Sequence, residues 1–338
     1  MMNNLTKVLW LALIVAGTIS CNKDKKSDNF MPPITGKPGE ITLVMTDALY
    51  DGPAGDTLYG ILCIEEPALP QSGMEGAEPM FDVIQVPPTG FGNIFRANRN
   101  IIIVSINDTL EKAAMRIDRS YWAKQQLLIR MTAPNQEELI DLMVNKDDFL
   151  RNTIRDTEID RDVYLNNKYE NTELVNSLIR KHDVVVQFSK GWQPRLDTNN
   201  FVWVQYNPPQ ITQAVLIYYY PYTDESQIEY ENLIPRTEEW LKTWVPGPSK
   251  GSYMTLELEH APLYSKVFTK DGHYVREIKG LWDMHNDSMG GPFISWSFID
   301  EKNSRIVTVF GFVYAPKYQK RNHIRKVESL LKSVKFSD

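Results

Sequence analysis

The segment from Gly280 to Phe293 holds the densest set of side chains in this sequence that can do chemistry. Its candidates are one indole, two acids, one imidazole and a pair of glycines: Trp282, Asp283, His285, Asp287, Gly290 and Gly291. Carboxylates and an imidazole can hold a cation, and an indole can stack on a sugar ring. The pattern therefore predicts a ligand-binding loop between two strands. The alternative is an ordinary polar hairpin connection, because Asn-Asp and Gly-Gly are common turn residues.

The other candidates for catalysis and metal binding lack the spacing that their chemistry needs. The histidines are scattered, and none pairs with another at helical spacing: His182, His260, His273, His285 and His323. The stretch Gly247 to Ser252 lacks the spacing of a phosphate-binding loop, and Pro246 and Pro248 remove backbone donors. Residues 247–251 read Gly-Pro-Ser-Lys-Gly, but this stretch is a turn after a predicted helix and lacks the strand-turn-helix setting of a serine nucleophile. We therefore predict no catalytic residue, no metal site and no cofactor.

The hydrophobic pattern divides the chain beyond its N-terminal region into two halves, residues 39–165 and residues 166–338. Alternating or β-branched runs predict strands in both halves, and helical spacing predicts helices over 56–64, 135–150, 156–182, 230–245 and 319–332. Strands that follow each other directly favour antiparallel pairing. The predicted class is α+β, with two α/β-sandwich-like halves whose mainly antiparallel sheets are packed by helices.

Residues 1–20 have the three parts of a secretory signal peptide. A polar start precedes the apolar run 8–16, and small residues precede Cys21. An apolar run this short fits a signal better than a spanning helix, which needs about 20 residues. The pattern resembles the lipobox of bacterial lipoproteins, with a departure at Thr18, where leucine is common. The resemblance implies cleavage before Cys21, acyl chains on its sulfur, and a flexible tether over residues 21–38.

Two alternatives to lipidation remain, a plain signal peptide and an N-terminal membrane anchor with an incidental cysteine. If Cys21 is acylated, Cys63 has no cysteine partner, and its apolar neighbours are typical of a buried thiol. By resemblance to the sorting rules of Gram-negative bacteria, Asn22 after the cysteine implies the outer membrane, on either side of it.

Charge limits the partners that we expect. The formal net charge is −6, from 37 Lys and Arg against 43 Asp and Glu, and no basic stripe compensates locally. Such a surface repels phosphate backbones, so nucleic acid is not an expected partner. The predicted partners are a membrane, reached through the lipid anchor, and an envelope protein or a glycan.

Several blocks of residues carry a likeness to a known family. They are Gly36–Glu40, Asn93–Ile101, Val245–Pro248, Gly251–Thr255, Gly280–Trp282, Met289–Phe293 and Phe312–Lys317. Together they resemble an uncharacterised domain-of-unknown-function family of Gram-negative envelope lipoproteins, which implies two α+β halves and no particular activity. Residues 183–336 more loosely resemble PsbP/Mog1-like domains, in an opening strand before a Gly-Trp turn and in a last helix. A likeness of fold does not transfer function.

The sequence favours a lipid-anchored, non-enzymatic binding or scaffold protein of the cell envelope. The alternative is an envelope enzyme, for example one acting on glycans, whose acids only the fold brings together. Such a site needs two carboxylates about 5–10 Å apart in a cleft. A deep pocket lined by Asp283, His285, Asp287 or other acids favours the enzyme, whereas a flat aromatic face favours a binding protein.

Overall fold

The computed structural model describes residues 31–69 and 77–336. The predicted signal peptide over 1–20, Cys21 and most of the predicted tether over 21–38 lie outside the described residues. Within the described part, no helix combines the length and the hydrophobicity needed to cross a bilayer. The statements on export and lipidation therefore remain predictions.

The first half is built on a five-stranded sheet in the order β2-β1-β3-β5-β4. Its elements are β1 Glu40–Val44, α1 Asp47–Tyr50, α2 Pro53–Leu62, β2 Asp82–Val86, α3 Asn93–Arg96, β3 Asn100–Ile106, β4 Ala114–Arg119, β5 Leu127–Ala133, α4 Gln136–Asn145 and α5 Asp147–Lys168. Pro53 suits the first turn of α2, where no backbone N–H is needed. Asn135 caps α4 by accepting a hydrogen bond from the backbone N–H of Glu138.

The pairing within this first sheet is mostly parallel, which differs from the antiparallel arrangement predicted for this half. β1 lies parallel to both β2 and β3, and β3 lies parallel to β5, whereas β4 pairs antiparallel with β5. Strand β3 is apolar on both faces, with Ile102 and Val104 in one cluster and Ile101 and Ile103 in another. Burial on both faces is the usual environment of a strand in a parallel sheet.

The second half contains a larger sheet that is entirely antiparallel, in the order β10-β12-β13-β14-β9-β8-β7 with β11 beside β12. Its elements are α6 Thr172–His182, β6 Val184–Val185, β7 Gln193–Asp197, β8 Phe201–Tyr206, β9 Thr212–Pro221, α7 Tyr230–Trp244, β10 Tyr253–Leu256, β11 Tyr264–Lys270, β12 His273–His285, β13 Gly290–Asp300, β14 Arg305–Tyr314, α8 Arg321–Lys332 and β15 Lys335–Phe336. The predicted α+β class is confirmed.

Helices cover both faces of this larger sheet. On one face, α6 and α8 pack on a cluster that includes Val202 and Val204, and Gly311 of β14 lies against Val327 of α8. A Cβ atom at Gly311 would come 2.1 Å from Val327 Cγ1, so this close approach depends on the missing side chain. On the other face, α7 packs on a cluster that includes Phe201 and Trp203. Side chains of neighbouring residues in β8 therefore point to opposite faces of the sheet.

Buried charges join the two halves where α5 packs against α8. Arg155 of α5 forms an ion pair with Glu328 of α8, and its Nε lies 3.6 Å from Glu66 Oε1. Glu66 also pairs with Arg325, and Lys279 Nζ lies 3.6 Å from Glu328 Oε1. Burial opposes the ionisation of Glu328, but Arg155 and Lys279 outweigh it and lower the pKa of Glu328 to about 2. The carboxylate is therefore ionised at neutral pH within a closed network.

Candidate ligand-binding site

A cavity of about 330 Å³ opens on the α7 face of the larger sheet. Its apolar wall is formed by rings and thioethers from four strands and the turn before β13: Trp203, Met254, Trp282, Met284, Met289, Phe312 and Tyr314. The chain that follows α7 closes another side, over residues 245–248. Gly247 packs tightly there, since a Cβ atom would come 2.8 Å from Met284 Sδ. This volume and this apolar lining are typical of small-molecule sites.

Trp203 brings an unused hydrogen-bond donor to this wall. Its side chain belongs to the buried cluster beneath α7, with only 5% of the residue exposed, and its Nε1–H has no acceptor among the described residues. The other two buried indoles in the sheet are satisfied, because Trp282 Nε1 donates to the carbonyl of Val313 at 3.1 Å and Trp296 Nε1 donates to Glu277 at 2.8 Å. An unsatisfied buried donor costs about 1–3 kcal/mol, which an acceptor on a ligand would recover.

A β-bulge on the edge strand places Arg195 over the Trp203 ring. Pro194 pairs with Val204 and Leu196 pairs with Trp203, so Arg195 is the extra residue between them. A bulge lets two successive residues of one strand oppose a single residue of its neighbour, and it redirects side chains. The Arg195 guanidinium carbon lies 4.2 Å from the centroid of the Trp203 ring, at the mouth of the cavity.

Comparisons with known proteins match two stretches of the chain to two separate families. Residues 34–164 match a family described as a domain of unknown function, DUF8532. Residues 171–333 match a second such family, DUF4837. Each half thus resembles a different domain of unknown function, which confirms the predicted resemblance at that level. No curated protein matches the chain significantly. The cavity lies entirely within the DUF4837 match.

The rim of the cavity is polar and carries no acid or histidine among its described residues. Gln205 and Asn207 lie at the end of β8, and Thr212 begins β9. Amides and a hydroxyl can donate or accept, so they can adapt to several ligand groups. Arg195 is the charged side chain of this lining.

The structure brings one of the six sequence-predicted residues to the cavity. Trp282 lies in β12 and lines the cavity, but it is only 2% exposed and therefore offers no open face for stacking. Asp283 and His285 alternate with Trp282 and Met284 along β12, so their side chains point to the opposite face of the strand. The His285 ring stacks on the Tyr253 ring, with centroids 4.7 Å apart.

Asp287 and the glycines Gly290 and Gly291 close a hairpin that borders the cavity. Asp287 accepts hydrogen bonds from Ser249 Oγ at 2.6 Å and from the backbone N–H of Ser288 at 2.8 Å. The bond from Ser249 is the main cause of the lowered pKa of Asp287. Gly291 leaves room for the Trp282 indole, because a Cβ atom there would lie 3.1 Å from Trp282 Nε1. These residues shape the cavity wall, and their side chains do not meet at a common binding site.

The described residues hold no cluster of three or more His, Cys, Asp or Glu side chains that could bind a metal ion. Cys63 is the free cysteine of this part of the chain, half-buried, with its Sγ 3.6 Å from the carbonyl of Phe81. Burial raises the pKa of the Cys63 thiol, so the thiol form is favoured at neutral pH.

Sequence reasoning missed Trp203, Arg195 and Phe312. Each lies in a strand, and nothing in its local pattern separates a cavity wall from a packed core. Pro194 is the one local signal, because proline inside a strand is typical of an edge or a bulge. It would have drawn attention to the edge strand on which Arg195 lies.

Proposed function

We propose that the second half of this protein binds a small, largely apolar ligand in the cavity beneath α7, and that the protein works as a lipid-anchored binding protein of the cell envelope. The observation that carries the proposal is the buried Trp203 N–H, which has no acceptor within residues 31–69 and 77–336, beside an aromatic cavity of about 330 Å³. The likeness of residues 183–336 to PsbP/Mog1-like domains stays part of the proposal at the level of fold.

The lining of the cavity favours binding over hydrolysis. A glycoside hydrolase needs a pair of carboxylates beside its substrate. The described residues that line this cavity include none, and Asp287 is bonded to Ser249 at the hairpin. The rings and thioethers instead supply apolar contact area for a ligand, and they have no acid-base function.

A neutral fluorescent probe, N-phenyl-1-naphthylamine, tests the binding function. We expect saturable fluorescence enhancement with the purified protein, because the probe leaves water for an aromatic wall. Met289→Trp adds bulk at the half-buried rim and should weaken binding by at least about tenfold, which corresponds to about 1.4 kcal/mol.

The control for this experiment is Glu301→Trp. Glu301 is exposed in the turn after β13, at the opposite end of that strand from the cavity. Glu301→Trp therefore adds the same indole to the surface without obstructing the cavity. Equal binding by both variants, or no saturable binding by the parent protein, would contradict the proposed function.

The lipid anchor is tested separately on the full chain expressed in a Gram-negative host. If Cys21 carries acyl chains, the parent protein should fractionate with outer membranes and Cys21→Ser should not, because acyl chains supply durable anchoring. Mass spectrometry of the mature N-terminus provides the independent readout. Cys63→Ser is the matched control and should fractionate like the parent. Membrane fractionation of the Cys21→Ser protein would refute lipidation at that sulfur.

A further inference from the structure

The charge of the cavity lining is opposite in sign to the net charge of the chain. The chain carries a formal net charge of −6, yet the charged side chain in the cavity lining is the cation Arg195. No described residue forms an ion pair with Arg195, which is exposed and contacts the Trp203 ring. Asp197, two residues further along, is already engaged by Lys181 at 2.6 Å and by His182 at 2.8 Å.

From this arrangement, and resting on the proposed function, we infer that the ligand is an aromatic anion, an aryl carboxylate or an aryl sulfonate. Its acidic group would lie at the mouth, between the Arg195 guanidinium and the edge of the Trp203 ring. Its aromatic body would lie along the apolar wall, beside Met289 and Phe312.

The two donors fit an anion better than a neutral or cationic group. Among the described residues, the Arg195 guanidinium has no ion-pair partner and the Trp203 N–H has no acceptor. Hydrogen bonds from such donors to an ionised oxygen are about twice as strong as those between neutral groups. A cation would find no carboxylate in the described lining, and a sugar would leave most of its hydroxyl groups against rings and thioethers.

The bulge places the cationic side chain of Arg195 beside the aromatic wall. Arg195 stacks on the Trp203 ring, which holds the guanidinium near the mouth without neutralising its charge. The Trp203 Nε1 atom itself is buried. For the Trp203 N–H to reach the acidic group that Arg195 binds, the side chains that cover Nε1 must shift when the ligand binds.

Two probes that differ by one acidic group test the inference. The anion 1-anilinonaphthalene-8-sulfonate has the same ring skeleton as the neutral N-phenyl-1-naphthylamine. We expect the parent protein to bind the sulfonate at least about tenfold more tightly than the neutral probe. Arg195→Gln should weaken sulfonate binding about tenfold and change binding of the neutral probe less than twofold.

Matched variants separate a local effect from a change in net charge. Arg180→Gln removes the same charge from an exposed position of α6, which packs on the other face of the sheet, and should leave both affinities unchanged. Trp203→Phe keeps a ring and removes the N–H, so it should weaken binding of the sulfonate several-fold more than binding of the neutral probe. Met289→Trp should weaken binding of both probes.

The outcomes distinguish the inference from the proposed function. If both probes bind with equal affinity, sensitive to Met289→Trp but not to Arg195→Gln, the binding function stands and the anionic ligand class is wrong. If neither probe binds in a way that Met289→Trp weakens, the binding function itself fails. Sulfonate binding that Arg180→Gln weakens as much as Arg195→Gln would also overturn the inference.

Discussion

Replacing Glu328 with glutamine should lower the free energy of unfolding by about 3 kcal/mol at neutral pH, because it leaves a buried cation without its main counter-ion. Arg155 would keep the weaker ion pair with Glu66, whose Oε1 lies 3.6 Å from its Nε. Water reaches neither partner well, since Arg155 is 9% exposed and Glu328 is 5% exposed. Urea unfolding followed by circular dichroism measures the change.

The control lies on the same two helices. Lys332 of α8 pairs with Asp160 of α5 at 2.6 Å, but these side chains are 37% and 58% exposed. Asp160→Asn should therefore change the free energy of unfolding by less than about 1 kcal/mol. Similar losses from both variants would mean that burial of the Glu328 pair is not the cause.

The effect of Glu328→Gln should also depend on pH in one direction. The pKa of Glu328 falls from 4.5 in the unfolded reference to about 2 in the folded protein. A lowered pKa stabilises the folded state above the unfolded value, and this contribution disappears as the pH falls through the folded value. The difference between parent and variant should shrink below pH 4.5 and approach zero near pH 2.

Truncating either of two neighbouring phenylalanines in β14 should cost about 3 kcal/mol of unfolding free energy, but only one truncation should affect the cavity. Phe310 and Phe312 lie on the same face of the strand and are 0% and 4% exposed. The Phe310 ring stacks on Phe293 with centroids 4.8 Å apart, whereas the Phe312 ring contacts Trp282 at 5.4 Å in the cavity wall.

Binding of N-phenyl-1-naphthylamine separates the two variants. Phe312→Ala should weaken binding about fivefold, because a wall ring contributes about 0.5–1.5 kcal/mol to an aromatic contact. Phe310→Ala should leave the affinity within twofold of the parent. If alanine prevents folding, Phe312→Leu and Phe310→Leu provide the same comparison with a smaller cavity. Equal effects of both residues on binding would contradict the placement of the ligand against Phe312.

The sequence predicted those elements whose residues alternate or remain apolar over several positions. Strand β14, Arg305–Tyr314, is such a run, and α8 falls within the predicted 319–332. Strands β4, β7 and β11 were missed because they are edge strands with mostly exposed side chains, so no hydrophobic pattern marks them. The parallel first sheet was missed because β2 and β3 are joined without a long helix, and the sequence there resembles direct succession.

The cavity could not be predicted from local sequence patterns, for a different reason. Its wall combines residues that are far apart in the chain, from Arg195 on β7 to Tyr314 on β14. Their proximity depends on strand order and on the bulge, and pairing between strands is not written in either strand alone. The loop that the sequence predicted near Trp282 borders the cavity, because β12 carries Trp282 in the wall and also leads into the hairpin.

The order of synthesis gives the charge network at α5 and α8 a further consequence. Glu66 and Arg325 are 259 residues apart, so roughly 13 to 50 seconds separate their emergence from a ribosome that adds about 5–20 residues per second. Until then, Glu66 lacks Arg325 and Arg155 lacks Glu328, and burying the incomplete network would be less favourable than burying the full one. The nascent first half therefore keeps this surface hydrated and open. For a chain that is exported as proposed, this delay favours a translocation-competent, unfolded precursor.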